Sequence, residues 1–186
     1  MKTDKGSDKQ AGMVNGPGKK HLTMLSPKVY EENKGFITVT MNEFLVSYLL
    51  RVYQAFGGDI IQAMVLGAIA HHNVAHLSRQ QAFDGIQIKN IIKELGEEAV
   101  LAPCNAFSIG QATGIPRETV RRKIVMLIDR GYVYRSAEGF LFLTPTVGND
   151  FEDMTARNVE ELLTTARRLE DLLANRPTPL GPLRLD

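Results

Sequence analysis

Residues 105–145 decide the fold of this chain and read NAFSIGQATGIPRETVRRKIVMLIDRGYVYRSAEGFLFLTP. A short helix is predicted over about 108–113, because Ile109 can then point into a core. Gly114 follows this helix and suits a tight turn, since glycine tolerates a positive φ. Pro116 suits the first turn of a second helix, where its missing N–H does no harm. The stretch therefore predicts two helices separated by a tight turn.

The second predicted helix is amphipathic and leads into a β-hairpin. Glu118 favours the positive end of the helix dipole, and Gly131 ends the helix. Residues 132–135 and 140–144 have the pattern of two strands around a turn. A short helix, a turn, a longer helix and a hairpin together predict a winged helix-turn-helix. The buried face of the second helix is predicted to consist of Val120, Ile124, Leu127 and Ile128.

The same segment holds a local excess of positive charge. The whole chain has 22 basic and 21 acidic residues, a net charge of +1, whereas residues 117–135 hold six basic and two acidic residues, a net +4. A basic patch on a near-neutral chain is typical of phosphate binding. In the major groove, arginine can bind guanine O6 and N7, and glutamate can accept from the N4 amine of cytosine. The exposed face of the second helix is predicted to hold Arg117, Arg121, Arg122 and Lys123.

Residues 109–133, IGQATGIPRETVRRKIVMLIDRGYV, resemble the recognition unit of winged-helix regulators of the cyclic-AMP receptor protein and Fnr type. Those regulators carry a similar order of Ile-Gly-Gln, Gly, Arg-Glu-Thr-Val, Arg, Leu and Gly. The resemblance spans about 40 residues and concerns the DNA-binding unit alone. It implies that Arg117, Glu118 and Arg122 face base edges and that Thr119 lies near a phosphate. The full set expected to bind DNA is Ser108, Arg117, Glu118, Thr119, Arg121, Arg122, Lys123 and Arg135.

The chain departs from that family in two ways, one inside the resembling segment and one outside it. Pro116 stands where a Ser or Thr is often found, which removes a cap and a phosphate contact. The N-terminal half has the pattern of helices, not the short strands of a cyclic-nucleotide jelly roll. Its layout resembles MarR-type regulators, in which flanking helices make the dimer. We therefore expect a mainly α protein with one small β-hairpin, a homodimer on double-stranded DNA with an inverted-repeat site.

The division of the chain follows composition and periodicity. Phe36–Met41 is predicted to be extended, and Asn42 to cap a helix that runs to about Phe56. Gly57-Gly58 is expected to end that helix, and Asp59 to begin a central one up to about Leu77. A further helix is predicted over 88–95. The predicted regions are a flexible basic arm (1–35), a helical core and dimerisation region (36–104), the helix-turn-helix with its wing (105–147), a C-terminal dimerisation helix (148–175) and a frayed tail (176–186).

Other residue patterns carry weaker alternatives. His72 and His76 have a spacing that can hold a metal, but no carboxylate or thiol accompanies them, so we expect no metal, with a metal-sensing or pH-sensing site as the alternative. Cys104 is expected to be a small buried hydrophobic residue, with redox sensing as its alternative. Aromatic residues of the first helix are expected in the core, with an effector pocket as their alternative. Those aromatic residues are Phe44, Tyr48, Tyr53 and Phe56.

The function predicted from the sequence is site-specific regulation of transcription. No catalytic or phosphate-loop motif is present, so neither enzymatic activity nor a cofactor is expected. The single cysteine and the lack of a secretory pattern favour a cytoplasmic protein. Two alternatives stay open: a winged helix that binds another protein, and a DNA-binding protein of replication or chromosome organisation. The DNA hypothesis requires a free arginine face, whereas the interaction hypothesis predicts that face covered or an apolar patch exposed elsewhere.

Overall fold

The structure is a computed structural model that describes residues 27–79 and 96–174. Within these residues the chain is mainly helical with one two-stranded antiparallel sheet, which confirms the predicted mainly α class. The predictions for residues 1–26, 88–95 and 176–186 lie outside the described residues. The elements are α1 (Pro27–Ala55), α2 (Ile60–Arg79), α3 (Glu97–Val100), α4 (Ala106–Thr113), α5 (Arg117–Asp129), β1 (Val133–Arg135), β2 (Leu141–Leu143), α6 (Pro145–Asp150) and α7 (Glu152–Leu173).

Helix α1 is longer than the sequence pattern predicts. The extended segment predicted at Phe36–Met41 and the helix start predicted at Asn42 are both wrong, because α1 continues through them for 29 residues. Residues 27–35, predicted as part of a flexible arm, form the first turns of the same helix. The Thr38 hydroxyl donates to the carbonyl of Lys34 at 2.7 Å, a bond that lets a β-branched residue sit in a helix.

The elbow between α1 and α2 agrees with its prediction. Gly57 and Gly58 have φ values of 59° and 90°, a backbone region that disfavours side chains and ends the helix. Asp59 then caps α2, because its Oδ1 accepts from the backbone N–H of Gln62 at 3.0 Å. The chain bends by 98° between α1 and α2. The elbow could be predicted because its two glycines and its cap act on neighbouring residues.

The hydrophobic core lies between α2, α4, α5 and the hairpin. Helix α2 contributes Val65 and Ile69, both fully buried, which confirms its predicted central place. Helix α4 contributes Ile109, and the hairpin contributes Val133 and Leu141. On α5 the predicted face is confirmed, with Ile128 at its margin and three side chains at 0% exposure, namely Val120, Ile124 and Leu127.

The connection between α4 and α5 and the hairpin that follows also match their predictions. Gly114 has a φ of 71°, and Pro116 lies directly before the first residue of α5. The two strands pair in antiparallel register, with Val133 opposite Leu143. Their turn closes through a hydrogen bond from the N–H of Ser136 to the carbonyl of Phe140 at 2.8 Å. The local turn residues therefore fix this part of the chain.

One buried side chain, Asn73 of α2, joins three segments that are distant in sequence. Its Nδ2 donates to the carbonyls of Ala102 at 2.7 Å and Leu141 at 3.2 Å. Its Oδ1 accepts from the N–H of Leu143 at 2.9 Å. The backbone N–H of Ala102 donates in return to the Asn73 carbonyl at 2.9 Å. Cys104, which bridges to Leu141, is held in the same network.

Helices α1 and α7 form a second, smaller unit. Glu43 of α1 bonds to Arg168 near the end of α7, whereas Arg51 bonds to Asn158 and Glu161 nearer its start. The order of these contacts shows that the two helices run antiparallel. The predicted C-terminal helix is thus present as α7, preceded by the short α6.

No single helix in residues 27–79 and 96–174 is long and apolar enough to cross a bilayer. Helices α1 and α2 meet that test only when taken together, and the chain bends by 98° between them.

We expect Asn73→Ala to destabilise the protein by about 2–4 kcal/mol, because two carbonyls and one N–H lose a buried partner. The free energy of unfolding is measured by urea titration with circular dichroism, since the chain has no tryptophan.

Asn149→Ala is the matched control, because Asn149 is exposed on α6. It should stay within about 0.5 kcal/mol of the parent protein. A loss of less than about 1 kcal/mol in Asn73→Ala would contradict the role of this network.

Candidate nucleic-acid interface

The N-terminal half of α5 presents its charged side chains to solvent. Its apolar positions are fully buried, so the opposite helix face is left outside. Arg117, Glu118, Arg121 and Arg122 are all exposed. The structure thus brings the predicted arginines together on one surface, close to the positive end of the α5 dipole. We name Arg117, Arg121 and Arg122 the arginine face.

Two contacts hold parts of the arginine face. The guanidinium of Arg117 lies over the ring of Phe107, 5.8 Å from its centre, so an aromatic residue of α4 supports it. Arg121 lies 3.8 Å from Glu118, and their side chains are 55% and 86% exposed. An ion pair this open to water holds its partners weakly. Both side chains therefore keep their freedom to bind a ligand.

Lys123 is not part of this surface, so its predicted place on the exposed face is wrong. Its Nζ forms an ion pair with Oδ2 of Asp59 at 2.5 Å, and the lysine side chain is only 13% exposed. Lys123 directly precedes the buried Ile124 and lies at the margin of the α5 face that packs on α2. The ammonium therefore neutralises the N-cap of α2 and joins the two helices.

The remaining predicted residues have separate places. Ser108 completes a capping box at the start of α4: its Oγ accepts from the N–H of Asn105 at 3.1 Å, and the Asn105 side chain caps the N–H of Ser108. Thr119 is half-buried on α5. Arg135 is exposed at the end of β1, next to the hairpin turn. Arg135 therefore extends the basic surface onto the hairpin, whereas Ser108 has a structural role as a cap.

The second half of α5 is not basic on its exposed side. Val125 is 53% exposed and Met126 is 37% exposed. Asp129 is the last residue of the helix and is also exposed. Positive charge is therefore concentrated on the first two turns of α5, at the end adjoining the turn from α4.

An aromatic cluster that sequence patterns did not indicate joins α5 to the α1–α7 pair. The ring of Phe56 stacks on Phe151 with centres 5.5 Å apart, and Tyr132 lies 5.5 Å from the same Phe151 ring. The guanidinium of Arg130, which follows α5, lies 5.8 Å from the centre of Phe56. These residues come from the ends of four elements, so no local periodicity links them.

Cys104 is buried, whereas His72 and His76 are half-buried. Cys104 is 2% exposed, and its thiol donates to the carbonyl of Leu141 at 3.5 Å. Burial raises the pKa of the Cys104 thiol to about 11, against a smaller opposite effect of Asn73. Among the described residues no group of three His, Cys, Asp or Glu side chains could hold a metal. Cys104 therefore behaves as a small buried hydrophobic residue.

The aromatic residues of α1 do not enclose a pocket. Phe56 lies in the core, as expected, but Tyr48 and Tyr53 are 38% and 53% exposed, which contradicts the expected burial. Phe44 lines an open groove of about 330 Å³ between α1 and α7, where Glu43, Glu160 and Arg168 also lie.

We expect the Cys104 thiol to be inert in the folded protein. A pKa of about 11 leaves roughly one thiolate in a thousand at pH 8, and the sulfur is covered. Reaction with Ellman's reagent should be slow in buffer and complete after unfolding in urea, which serves as the control. Rapid reaction of the native protein would revive the redox alternative.

We expect Asp59→Asn to lower the stability at pH 7 in a pH-dependent way. Desolvation raises the pKa of Asp59, but bonds from Lys123 and from the N–H of Gln62 outweigh it, so the pKa falls below 3.8. The stabilisation is thus present above the unfolded-state pKa and is lost as the pH falls through the native one. The difference from the parent protein, measured by urea titration, should shrink below about pH 4.

Lys123→Met tests the same pair from the other side. It should destabilise the protein at pH 7, and the double variant should lose less than the sum of the two single losses. A difference between parent and Asp59→Asn that stays constant from neutral to acid pH would contradict the ion pair.

The chain was finally compared with known proteins. No family model, no curated protein and no solved structure matches it. The function is therefore inferred from the chemistry of the residues and their geometry.

Proposed function

We propose that this protein binds double-stranded DNA through the arginine face of α5 and the adjoining hairpin. The observation that carries the proposal is the arginine face itself, three exposed arginines on the first two turns of a helix. The whole chain is nearly neutral, with a net charge of +1. A local basic surface on such a chain suits contact with phosphates and with base edges in a major groove.

The arrangement around α5 supports a winged helix-turn-helix. Helix α4, the turn at 114–116, α5 and the β1–β2 hairpin follow one another in the order of that motif. Cys104 forms an isolated bridge with Leu141, which adds a third short strand position beside the hairpin. In this arrangement α5 enters the major groove, and Arg135 on the hairpin meets the DNA backbone.

The proposed activity is regulation of transcription by a homodimer at a specific site. Two copies related by a two-fold axis present their α5 helices to successive major grooves, about 34 Å apart. Such a dimer binds an inverted repeat. Arg117, Glu118 and Arg122 are the proposed base-contacting residues. Arginine can bind O6 and N7 of guanine, and glutamate can accept a hydrogen bond from the N4 amine of cytosine.

A second candidate function is a winged-helix module that binds another protein. The observation that favours it is the set of large apolar side chains exposed on α1 and α7. The arginine face is not covered, which favours the DNA hypothesis. A homodimer also accounts for the apolar side chains, and so we place the DNA-binding function first.

We expect Arg117→Ala and Arg135→Ala to weaken DNA binding in different ways. Loss of a base contact in Arg117→Ala should cost about 1–3 kcal/mol and relax specificity at one base position. Loss of a phosphate contact in Arg135→Ala should weaken all sequences alike and reduce the salt slope by about 1. The site is first selected from a pool of random duplex DNA, and affinities are then measured by fluorescence anisotropy across a salt series.

Arg157→Ala is the matched control, because Arg157 is 70% exposed on α7, away from α5 and the hairpin. Its affinity and salt slope should equal those of the parent protein. Equal weakening of specific and random DNA by Arg117→Ala would refute its base-contacting role. Absence of any retained DNA at low salt would favour the protein-interaction function.

A further inference from the structure

The two helices of the α1–α7 pair contact each other through polar side chains. Arg51 of α1 donates to both carboxylate oxygens of Glu161, at 2.7 Å and 2.5 Å, and to Asn158 at 2.8 Å. Further along, Arg168 of α7 donates to Glu43 at 2.7 Å. Two helices of one soluble chain ordinarily bury their apolar faces against each other. Here the charged faces are turned inward.

The apolar side chains of the pair point outward. On α1 the face opposite the polar contact is apolar from Val39 to Tyr53, with side chains 36–58% exposed. On α7 three large apolar residues are 48–53% exposed. These residues are Val39, Met41, Leu45, Val46, Tyr48, Leu49, Leu50 and Tyr53 of α1 and Val159, Leu162 and Leu163 of α7. We call this set the outer apolar face.

Helical periodicity indicates that part of the outer apolar face is continuous. Residues of a helix are rotated by about 100° from one to the next. Because α1 and α7 run antiparallel, Leu45 and Tyr48 lie on the same flank of the pair as Val159 and Leu162. Ala166, exposed one turn after Leu162, continues this flank. The spacing of 159, 162, 163 and 166 is that of a helix–helix seam.

The outer apolar face has the size of an interaction site. Eleven large apolar side chains at about half exposure amount to several hundred Å² of apolar surface, and patches of that size mark interaction sites. A standard interface buries roughly 800 Å² on each partner, of which about 60% is apolar. The continuous flank of the outer apolar face, with its polar rim, is therefore the part of this surface that one partner can cover.

The charges beside the α7 seam are self-complementary. Glu160 and Arg167 lie on the same side of the seam, at equal distances along the helix from the midpoint between residues 163 and 164. Both are exposed, and neither has an ion pair in the part of the chain that the structure describes. In an antiparallel pair of α7 helices centred on that midpoint, Glu160 of each copy faces Arg167 of the other. A two-fold axis between Leu163 and Thr164 thus creates two ion pairs, each between Glu160 of one copy and Arg167 of the other.

We propose that the continuous flank of the outer apolar face, which holds Leu45 and Tyr48 of α1 and Val159 and Leu162 of α7, is covered by a second copy of this chain. The two α7 helices are antiparallel across a two-fold axis between Leu163 and Thr164. This inference rests on the proposed function, which requires a homodimer. It identifies the surface through which the two copies contact each other. The polar contact within each α1–α7 pair is then intramolecular, and the apolar seam joins the two copies. In an ordinary helix bundle each chain buries its own apolar stripe, whereas here the apolar side chains of one copy are buried against the other copy.

The first test measures self-association of the full chain without DNA. Sedimentation equilibrium should show a dimer at micromolar concentrations. Leu163→Glu places a charge in the seam and should weaken the dimer at least roughly tenfold. Asn149→Glu is the matched control, because it adds the same charge at an exposed position on α6, outside the outer apolar face and away from the two-fold axis, and it should leave the dimer unchanged. Circular dichroism checks that both variants are folded.

The second test reverses the charges. Glu160→Arg and Arg167→Glu should each weaken the dimer, because like charges then face each other twice across the axis. The double variant Glu160→Arg/Arg167→Glu restores both pairs and should regain the dimer. A double variant as weak as the single ones would overturn the antiparallel register.

These outcomes are separable from the DNA-binding function. A parent chain that stays monomeric at tens of micromolar overturns the dimer surface, whatever its affinity for DNA, and indicates that a different protein covers the outer apolar face. A parent chain that is dimeric but binds no DNA leaves the surface intact and removes the proposed function.

Discussion

The Asn73 carboxamide is the interaction on which the rest of the structure depends. It lies fully buried on α2 and bonds to the segment before α4 and to the second strand of the hairpin. An amide in the core is costly unless its donors and acceptors are satisfied. Because the partners are backbone groups at fixed distances, this network sets where α4 begins and where the hairpin lies. It thereby sets the orientation of α5 between them.

Helix α5 owes its two roles to the separation of its buried apolar face from the charged exposed side of its first two turns. Its apolar side binds it to α2 and α4, and the Lys123–Asp59 pair fixes it to the start of α2. The opposite side is free to carry arginines at no cost to packing. Since Arg117 is supported by a ring of α4, part of the arginine face is already ordered before a ligand arrives, which lowers the entropy lost on binding.

The aromatic cluster around Phe151 couples this unit to the α1–α7 pair. Phe56 ends α1, Tyr132 begins the hairpin, and both rings contact Phe151. The proposed dimer is built by α1 and α7, whereas the proposed DNA contacts are made by α5 and Arg135. The spacing of the two α5 helices in such a dimer therefore depends on how rigidly these rings hold the two units together.

The sequence by itself determined the segments whose geometry depends on near neighbours. Gly114, Pro116, Gly131 and the turn at 136–139 require particular backbone conformations, and they were placed correctly with the buried face of α5. The mainly α class and the central position of α2 followed from periodicity. Arg117, Arg121 and Arg122 were placed on the exposed face by the same periodicity, since they alternate with Val120 and Ile124.

Only the tertiary structure decided the rest, because the deciding contacts join residues far apart in sequence. Lys123 looked like one more exposed cation until Asp59, 64 positions away, was seen to bind it. Phe36–Met41 is rich in β-branched residues and looked extended, but it continues a helix whose inner side meets α7. Local periodicity shows that a helix has an apolar face, but it does not show which face meets a partner. The outward turn of the apolar side chains on α1 and α7 was therefore visible only once Arg51 and Arg168 had been placed between the two helices.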